Sequence, residues 1–212
     1  PDIITRIGSL GMVYLEKKQY RRAEAYYNKA VELIHELYGK GAAVEPAATA
    51  LINQGVNYRH MEQYSDADQC YTEALAIYRK LSPGGDSVDI AKTLNNQGVN
   101  YREIKQYRNA DQCYTEALAI YRKLSQGDDT VDIANTLYNQ GVNYNEMKQY
   151  SNADQCYTEA LAIRRKLSQG DDTVDMARLL NNQGKNYADA GDENKAREKY
   201  REALNMYKRL DP

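Results

Sequence analysis

The sequence repeats itself at a fixed spacing, and this limits its fold more than any other feature. A Gly-x-x-Tyr core begins at Gly55, Gly98, Gly141 and Gly184, in steps of 43 residues, and a divergent copy begins at Gly11. A constant period of roughly 20–50 residues is typical of arrays in which one small unit stacks on the next. The sequence therefore predicts a single array over residues 1–212, with five repeats at approximately 1–43, 44–86, 87–129, 130–172 and 173–212.

Each repeat is predicted to contain two helices, which we call helix A and helix B. In the third repeat Ser87, with Asp89 close behind, has the residue types of a helix N-terminus. A turn at 105–107 then separates helix A from helix B. Helix B carries an apolar stripe at helical spacing, formed by Ala110, Tyr114, Ala117, Ile120, Tyr121 and Leu124. The pattern predicts an all-α fold of five antiparallel helix pairs.

The repeated glycine lies inside helix A, where it costs roughly 1 kcal/mol relative to alanine. Its return in every repeat indicates that helices A and B approach each other closely at that point. The conserved spacing of small and large side chains resembles the tetratricopeptide repeat signature, carried in the third repeat by Gly98, Tyr101, Tyr107, Ala110, Tyr114 and Ala117. The long period, the long helix B and the pair Asn95-Asn96 are similar to the kinesin light chain subclass.

This resemblance implies a right-handed superhelical solenoid in which the A helices line a concave groove that binds a peptide or a partner helix. One departure from the family is that glutamine stands where leucine is usual, which predicts a polar contribution to the contact between helices A and B. These glutamines are Gln54, Gln97, Gln140 and Gln183.

Comparison of the repeats with one another separates a constant part from a varied part. The helix B segments 67–82 and 110–125 have identical sequences. Helix A, by contrast, varies between repeats at five positions, and successive varied positions are three, four, three and one residues apart. Such offsets mark one side of a helix, which we call the A-helix face. One slot holds Arg59, Arg102, Asn145 and Ala188 in successive repeats. The alternative explanation is neutral drift on a solvated surface, because exposed positions tolerate change at little cost.

Two rows of asparagine also follow helix A, one represented by Asn53 and Asn96 and the other by Asn57 and Asn100. A carboxamide both donates and accepts hydrogen bonds, so it suits either a ladder between helices or a clamp on a peptide backbone. In kinesin-light-chain-like grooves helix-A asparagines contact the bound peptide, and the resemblance matches Asn95 and Asn181 to that slot. The predicted groove residues are Asn53, Arg59, Lys92, Asn95, Asn96, Val99, Arg102, Tyr138, Asn139, Arg178, Asn181 and Asn182.

The charge and the motif content argue against several other functions. The net charge is −2, whereas nucleic acids and anionic membranes are bound by concentrated positive surfaces. The sequence has no glycine-rich phosphate loop, no zinc-protease helix and no serine nucleophile elbow. The acidic pairs at 128–129 and 171–172 lack the spacing of a calcium loop and are better explained as helix caps. We therefore expect no enzymatic activity, no metal and no cofactor.

The three cysteines, Cys70, Cys113 and Cys156, are also 43 residues apart. Equivalent positions on successive helix layers are about 10 Å apart, and a disulfide requires Cα atoms closer than about 7 Å. The spacing predicts three buried thiols. With no signal peptide or membrane segment in the sequence, we expect a cytoplasmic protein.

Two alternatives to a peptide-binding scaffold follow from the same repeats. Near-identical units can stack between chains as well as within one, so the array can be a structural element that associates end to end. The chain can also be a non-catalytic segment of a longer protein, or an idealised array. The identity of the partner does not follow from the sequence.

Overall fold

The computed structural model describes residues 2–211. Within these residues the chain forms ten α-helices and no strands, and the helices alternate between types A and B. The predicted all-α series of helix pairs is confirmed. The helices are α1 (Asp2–Glu16), α2 (Tyr20–Tyr38), α3 (Glu45–His60), α4 (Tyr64–Leu81), α5 (Val88–Glu103), α6 (Tyr107–Leu124), α7 (Val131–Glu146), α8 (Tyr150–Leu167), α9 (Val174–Asp189) and α10 (Glu193–Leu210).

The A helices of the later repeats begin at hydroxyl caps, as the sequence predicts. Ser87 Oγ accepts a hydrogen bond from Ile90 N at 3.1 Å, and Thr130 Oγ1 accepts one from Ile133 N at 3.2 Å. Thr173 caps α9 in the same way. These bonds satisfy amide groups that have no partner inside the helix, and each is typically worth about 1 kcal/mol.

A tight turn joins helix A to helix B, and its backbone geometry is the same in each repeat. One residue of every turn has a left-handed backbone, with φ of 56° at Lys18, 61° at Glu62, 60° at Lys105, 59° at Lys148 and 83° at Gly191. The amide that follows this residue bonds back into helix A, as in Gln63 N to Tyr58 O at 2.9 Å. This turn reverses the chain within three residues and so fixes the antiparallel pairing.

The repeated glycine allows a tyrosine of helix B to lie against helix A. A Cβ atom added at Gly55 would lie 2.8 Å from Tyr71 Cε1, and one added at Gly141 would lie 2.7 Å from Tyr157 Cε1. Both tyrosine side chains are almost fully buried. The predicted close approach of helices A and B is therefore confirmed, and the tyrosine ring is the group that requires it.

The contacts divide the chain into two compact units, Pro1–Lys105 and Gln106–Pro212. In the first unit each helix from α1 to α4 packs against the next, and α1, α3 and α5 also touch in sequence. In the second unit each helix from α6 to α9 packs against the next, and α7 touches α9. The expectation of a single array remains a prediction about the chain as a whole.

The core of each helix pair consists of alanine, tyrosine and aliphatic side chains. Ala110, Ala117 and Ile120 are buried on α6, as predicted. Leu124 was predicted to belong to the same buried stripe, and this is wrong, because its side chain is 41% exposed. Leu81 and Leu167 are exposed in the same way. The buried stripe ends one turn before the end of helix B.

Candidate functional site

The two asparagine rows, which look alike in the sequence, occupy different environments. Asn57, Asn100, Asn143 and Asn186 are almost fully buried, and the Nδ2 atom of each donates to a backbone carbonyl at the start of the preceding helix B. The distances are 3.0 Å to Tyr20 O, 2.9 Å to Tyr64 O, 2.9 Å to Tyr107 O and 2.9 Å to Tyr150 O. This row joins neighbouring repeats and has no surface with which to contact a ligand.

The other row is half-buried and differs from repeat to repeat. Asn53 on α3 and Asn96 on α5 have no hydrogen-bond partner among the described residues. Asn139 on α7 is half-buried as well. On α9, Asn182 Nδ2 donates to Arg178 O at 3.0 Å and to the Tyr138 hydroxyl at 3.3 Å. Asn53 and Asn96 therefore have carboxamides whose hydrogen-bonding groups are not used within the described residues.

The glutamine row forms a second ladder between repeats. The Nε2 atom of each glutamine donates to helix B of the preceding repeat, at 2.7 Å from Gln54 to Asn28, 2.8 Å from Gln97 to Asp68, 2.9 Å from Gln140 to Asp111 and 2.7 Å from Gln183 to Asp154. In the last three repeats a threonine one turn further along helix B accepts as well. The glutamines are structural, and the leucine expected from the family would break this ladder.

The oxygens of two of these glutamines face the cysteine of their own helix pair, with Cys70 Sγ 4.0 Å from Gln54 Oε1 and Cys156 Sγ 3.8 Å from Gln140 Oε1. The expected polar contribution to the contact between helices A and B is confirmed. All three cysteines are buried, and none forms a disulfide in residues 2–211. Burial raises the pKa of the Cys70 and Cys156 thiols to about 12. A thiol must ionise to act as a nucleophile or metal ligand, so this burial keeps both groups inert.

Three predicted cations lie in the first unit, and their surroundings differ. Arg102, in the last turn of α5, is 3.2 Å from Glu103 Oε1. Lys92, near the start of α5, is exposed and has no ion-pair partner among the described residues. Arg59, in the last turn of α3, has no acidic partner within the same residues, and its Nε is buried without a hydrogen-bond acceptor. Of these three cations, Arg59 is therefore the one with a buried donor that lacks an acceptor.

The guanidinium of Arg59 lies near the buried tyrosine of its own helix pair, Tyr71. Burial raises the pKa of Tyr71 to about 12, and the neighbouring guanidinium of Arg59 opposes that shift. Asn145 occupies the equivalent slot in the fourth repeat. It is only 7% exposed, and its Nδ2 donates to Asn186 Oδ1 at 3.1 Å.

The remaining predicted residues lie on half-buried or exposed positions of the A helices. Val99 and Asn95 on α5 are half-buried, and Tyr138 on α7 is half-buried too. On α9 Asn181 is exposed, and Arg178 is also exposed but is 3.2 Å from Asp175 Oδ1. The cations of α9 are therefore already partly neutralised.

The acidic loops have a different role from the predicted one. Asp129 Oδ2 lies 2.8 Å from Lys166 Nζ, and Asp172 Oδ2 lies 2.5 Å from Arg209 Nε. Each of these acids precedes a helix A and binds the basic end of the helix B that follows it. They are therefore ion-pair partners, while the caps are the hydroxyl residues that follow them. Residues 2–211 contain no group of three or more side chains placed to hold a metal ion.

The structure also contains a cavity that the sequence patterns did not indicate. It has a volume of 380 Å³ and lies between α1 and α3, with Ala30 of α2 at its base. It opens beside Gly8 and Ser9, at slots where the second to fourth repeats carry isoleucine, asparagine or tyrosine followed by asparagine. We call it the α1–α3 cavity. Of the predicted groove residues, only Asn53 lines it.

The family model for the tetratricopeptide repeat matches residues 3–80, 46–123 and 132–209. The chain belongs to the tetratricopeptide repeat family. Proteins of this family are generally interaction scaffolds without catalytic activity. A comparison of the sequence with curated proteins found no match.

Solved structures of other tetratricopeptide proteins are similar over almost the whole chain. BtubC (BKLC) from P. vanneervenii has a TM-score of 0.85 at 24% identity, over 99% of this chain and 82% of that one. A putative kinesin light chain from Podosopora anserina has a TM-score of 0.79 at 12% identity, over 100% and 98%. A Rap protein complexed with Competence and Sporulation Factor has a TM-score of 0.74 at 20% identity, over 94% and 52%. The predicted resemblance to kinesin-light-chain-like tetratricopeptide proteins is confirmed.

None of the helices described in residues 2–211 combines the length and the apolar character that are needed to cross a bilayer.

Proposed function

We propose that the A-helix face binds a short peptide or a helix of a partner protein, and that α3 and α5 of the first compact unit provide the strongest contacts. One observation carries this proposal. The carboxamides of Asn53 and Asn96 and the Nε atom of Arg59 have no hydrogen-bond partner among the described residues, whereas Asn182, the equivalent asparagine of α9, donates to Arg178 O. A partly buried polar group without a partner is costly, and a ligand that satisfies it gains that energy.

The chemistry of these groups indicates the kind of ligand. A carboxamide can donate to and accept from the backbone of an extended peptide without reading its side chains. Arg59 and Lys92 add positive charge, which favours an acidic side chain on the ligand. Val99, half-buried on α5, adds an apolar side chain to the same face. The similar Rap structure is described as complexed with Competence and Sporulation Factor, which supports a binding role for the same fold.

The proposal is tested by capturing peptides from a proteome-derived library on the intact chain and on a triple variant, Asn53→Ala/Arg59→Ala/Asn96→Ala. Each lost hydrogen bond to a charged or partly buried group is worth about 1–3 kcal/mol, so we expect affinity for the captured peptides to fall at least tenfold. Circular dichroism of the variant checks that the fold is retained.

The matched control is Arg108→Ala/Asn109→Ala, which changes the same residue types at exposed positions on α6. We expect this variant to bind like the native chain. Equal binding by the triple variant and loss of binding by the control would contradict the proposal.

A further inference from the structure

The α1–α3 cavity has an apolar floor and a polar rim. Ile4, Ala30 and Ala50 form the floor, and all three are at least 94% buried. Met12, which is 47% exposed, closes one side. The rim carries Thr49, whose Oγ1 is hydrogen-bonded to the Tyr78 hydroxyl at 3.2 Å. Apolar floors with a few fixed polar groups are typical of ligand-binding pockets.

The cavity exists because two side chains are small. At Gly8, an added Cβ would meet no atom within 4 Å. Ser9 is equally short, and its Oγ donates to Thr5 O on the preceding turn of α1 at 2.9 Å. The open space at Gly8 contrasts with Gly55, where the Tyr71 ring lies against the glycine. Gly8 therefore has no packing role in its own helix pair.

The volume fits one large side chain. Cavities of about 150 Å³ lined by aliphatic groups bind benzene, and small-molecule pockets begin at about 300 Å³. At 380 Å³ the cavity accommodates an aromatic or branched aliphatic side chain together with the backbone that carries it. The thioether of Met12 is also well suited to contact an aromatic ring.

One charged group stands at the mouth of the cavity. Glu45, in the first turn of α3, lines it and has no ion-pair partner among the described residues. A carboxylate near a helix N-terminus is favourably placed, and Glu45 favours a cation beside the apolar side chain. At the other end of α3, fourteen residues and about 21 Å away, lies Arg59. An extended peptide covers that distance in about six residues.

We propose that the α1–α3 cavity is a binding subsite for one large apolar side chain of the peptide ligand, flanked by a basic residue that faces Glu45. The proposal rests on the proposed function of the A-helix face, and it adds the orientation of the peptide along α3. The basic and apolar residues lie at the start of α3, the backbone passes Asn53, and an acidic residue about six positions away reaches Arg59.

The subsite is tested with two dipeptide probes, N-acetyl-Phe-Lys-amide and N-acetyl-Ala-Lys-amide, titrated into the isotope-labelled full chain. We expect the phenylalanine probe to shift the backbone amide resonances of Gly8, Ala50 and Asn53 saturably, and the alanine probe to leave them unchanged. N-acetyl-Phe-Glu-amide is expected to bind about two- to fivefold more weakly than the lysine probe, and Glu45→Gln should remove that difference.

Two substitutions at one position provide the matched control. Gly8→Ala leaves most of the cavity open and is expected to bind the phenylalanine probe like the native chain, whereas Gly8→Leu fills the cavity and abolishes the shifts. Both raise helix propensity, so neither is expected to unfold α1, and Ser9→Leu serves as a second filling variant. Saturable binding that survives both filling variants would overturn the proposal, as would the absence of any shift at these amides.

The same variants distinguish this subsite from the wider function. If peptides captured by the native chain bind Gly8→Leu unchanged but lose affinity for Arg59→Ala/Asn96→Ala, the subsite is wrong and the proposed function stands. If neither set of substitutions alters peptide binding, the proposed function itself fails.

Discussion

Single glycine residues in the A helices have opposite packing environments. At Gly55 the face of the Tyr71 ring occupies the place where a side chain would begin, so the residue must be glycine. At Gly8 the same position is empty. The backbone is helical in both cases. Packing therefore requires glycine at position 55 but permits a larger residue at position 8.

This difference predicts that one substitution has opposite effects at the two positions. Gly55→Ala is expected to lower the free energy of unfolding by about 1–3 kcal/mol, because the new methyl group displaces a buried ring. Gly8→Ala is expected to raise it by about 0.5–1 kcal/mol through helix propensity alone. Urea titrations followed by circular dichroism compare the two midpoints. A loss of stability in both variants would show that the space at Gly8 is not open.

Buried hydroxyl and thiol groups predict how stability depends on alkaline pH. Burial raises the pKa of Tyr27, Tyr71, Cys70 and Cys156 to about 12, above the ordinary values of about 10 for tyrosine and about 8.5 for cysteine. These groups stay protonated in the folded chain when the unfolded chain has already lost their protons. Their contribution is therefore complete below about pH 8.5 and is lost as the pH rises toward 12.

We expect the urea midpoint to be constant from pH 7 to about pH 8.5 and then to fall steadily. Replacing Tyr71 with phenylalanine should reduce the slope above pH 10 at little cost at pH 7, since the Tyr71 hydroxyl has no hydrogen-bond partner among residues 2–211. An unchanged slope in this variant would show that Tyr71 ionises normally in the folded state.

At the level of helices, neighbouring repeats are joined by side-chain amides as well as by apolar packing. Gln140 of helix A spans two helices B, because its nitrogen donates to the preceding repeat and its oxygen faces the cysteine of its own helix pair. At α7, Gln140 therefore positions that helix against α6 and α8 together. A carboxamide is suited to this role because it has a donor and an acceptor on opposite sides.

The ladder predicts a specific response to a charge change. Gln140→Glu keeps the shape and helix propensity of the side chain but places a carboxylate 2.9 Å from Asp111 Oδ1. We expect it to lower the free energy of unfolding by about 1–3 kcal/mol at pH 7. Part of this loss should be recovered near pH 4, where one of the two carboxyl groups binds a proton. The control Gln112→Glu, at an exposed position of α6, is expected to change stability by less than about 0.5 kcal/mol.

Helices, caps and turns were predictable because their signals are local. Ser87 and Thr130, with the residues around them, predict the start of a helix, and the 43-residue period predicts the succession of helix pairs. The burial and the hydrogen-bond partner of a polar side chain were not predictable in the same way. Asn53 and Asn57 are one turn apart on the same helix and chemically identical, yet one is half-buried without a partner and the other is sealed between repeats. The difference between the two environments depends on which neighbouring helix packs against each side chain.

The α1–α3 cavity escaped prediction for a related reason. It results from the small size of Gly8 and Ser9, whereas sequence motifs are defined by the side chains that are present. A signal did exist, since the other repeats carry larger residues at these slots. This signal could be interpreted only with the position of the neighbouring helix, because a small residue creates a cavity only where no other side chain fills the space.

At the scale of the whole molecule, the two ends of the repeat series differ from its interior. At the slots that hold Asp154 and Thr158 on α8, α10 carries Arg197 and Arg201. At the slot of the ladder glutamine, α1 carries Leu10, whose side chain is 44% exposed. A copy stacked head to tail would therefore bring arginine against leucine, with no ladder bond at the junction.

Near-identical repeats can in principle stack end to end, but these side chains predict that native chains remain monomeric at micromolar concentration. Sedimentation velocity over a concentration series measures this, and a mass that rises with concentration would contradict it. A variant that restores the interior chemistry, Leu10→Gln/Arg197→Asp/Arg201→Thr, is expected to associate more strongly than the native chain.

The uniform ladder has a consequence for how such a chain can change over time. Every junction between repeats is built from the same contact between helix A and the helix B before it, and the helix B segments at 67–82 and 110–125 are the same string. A duplication or deletion of one whole period in the gene would therefore join surfaces that already match. The interior of the array can lengthen or shorten in steps of 43 residues without new compensating substitutions, whereas the ends cannot be copied inward without breaking a junction.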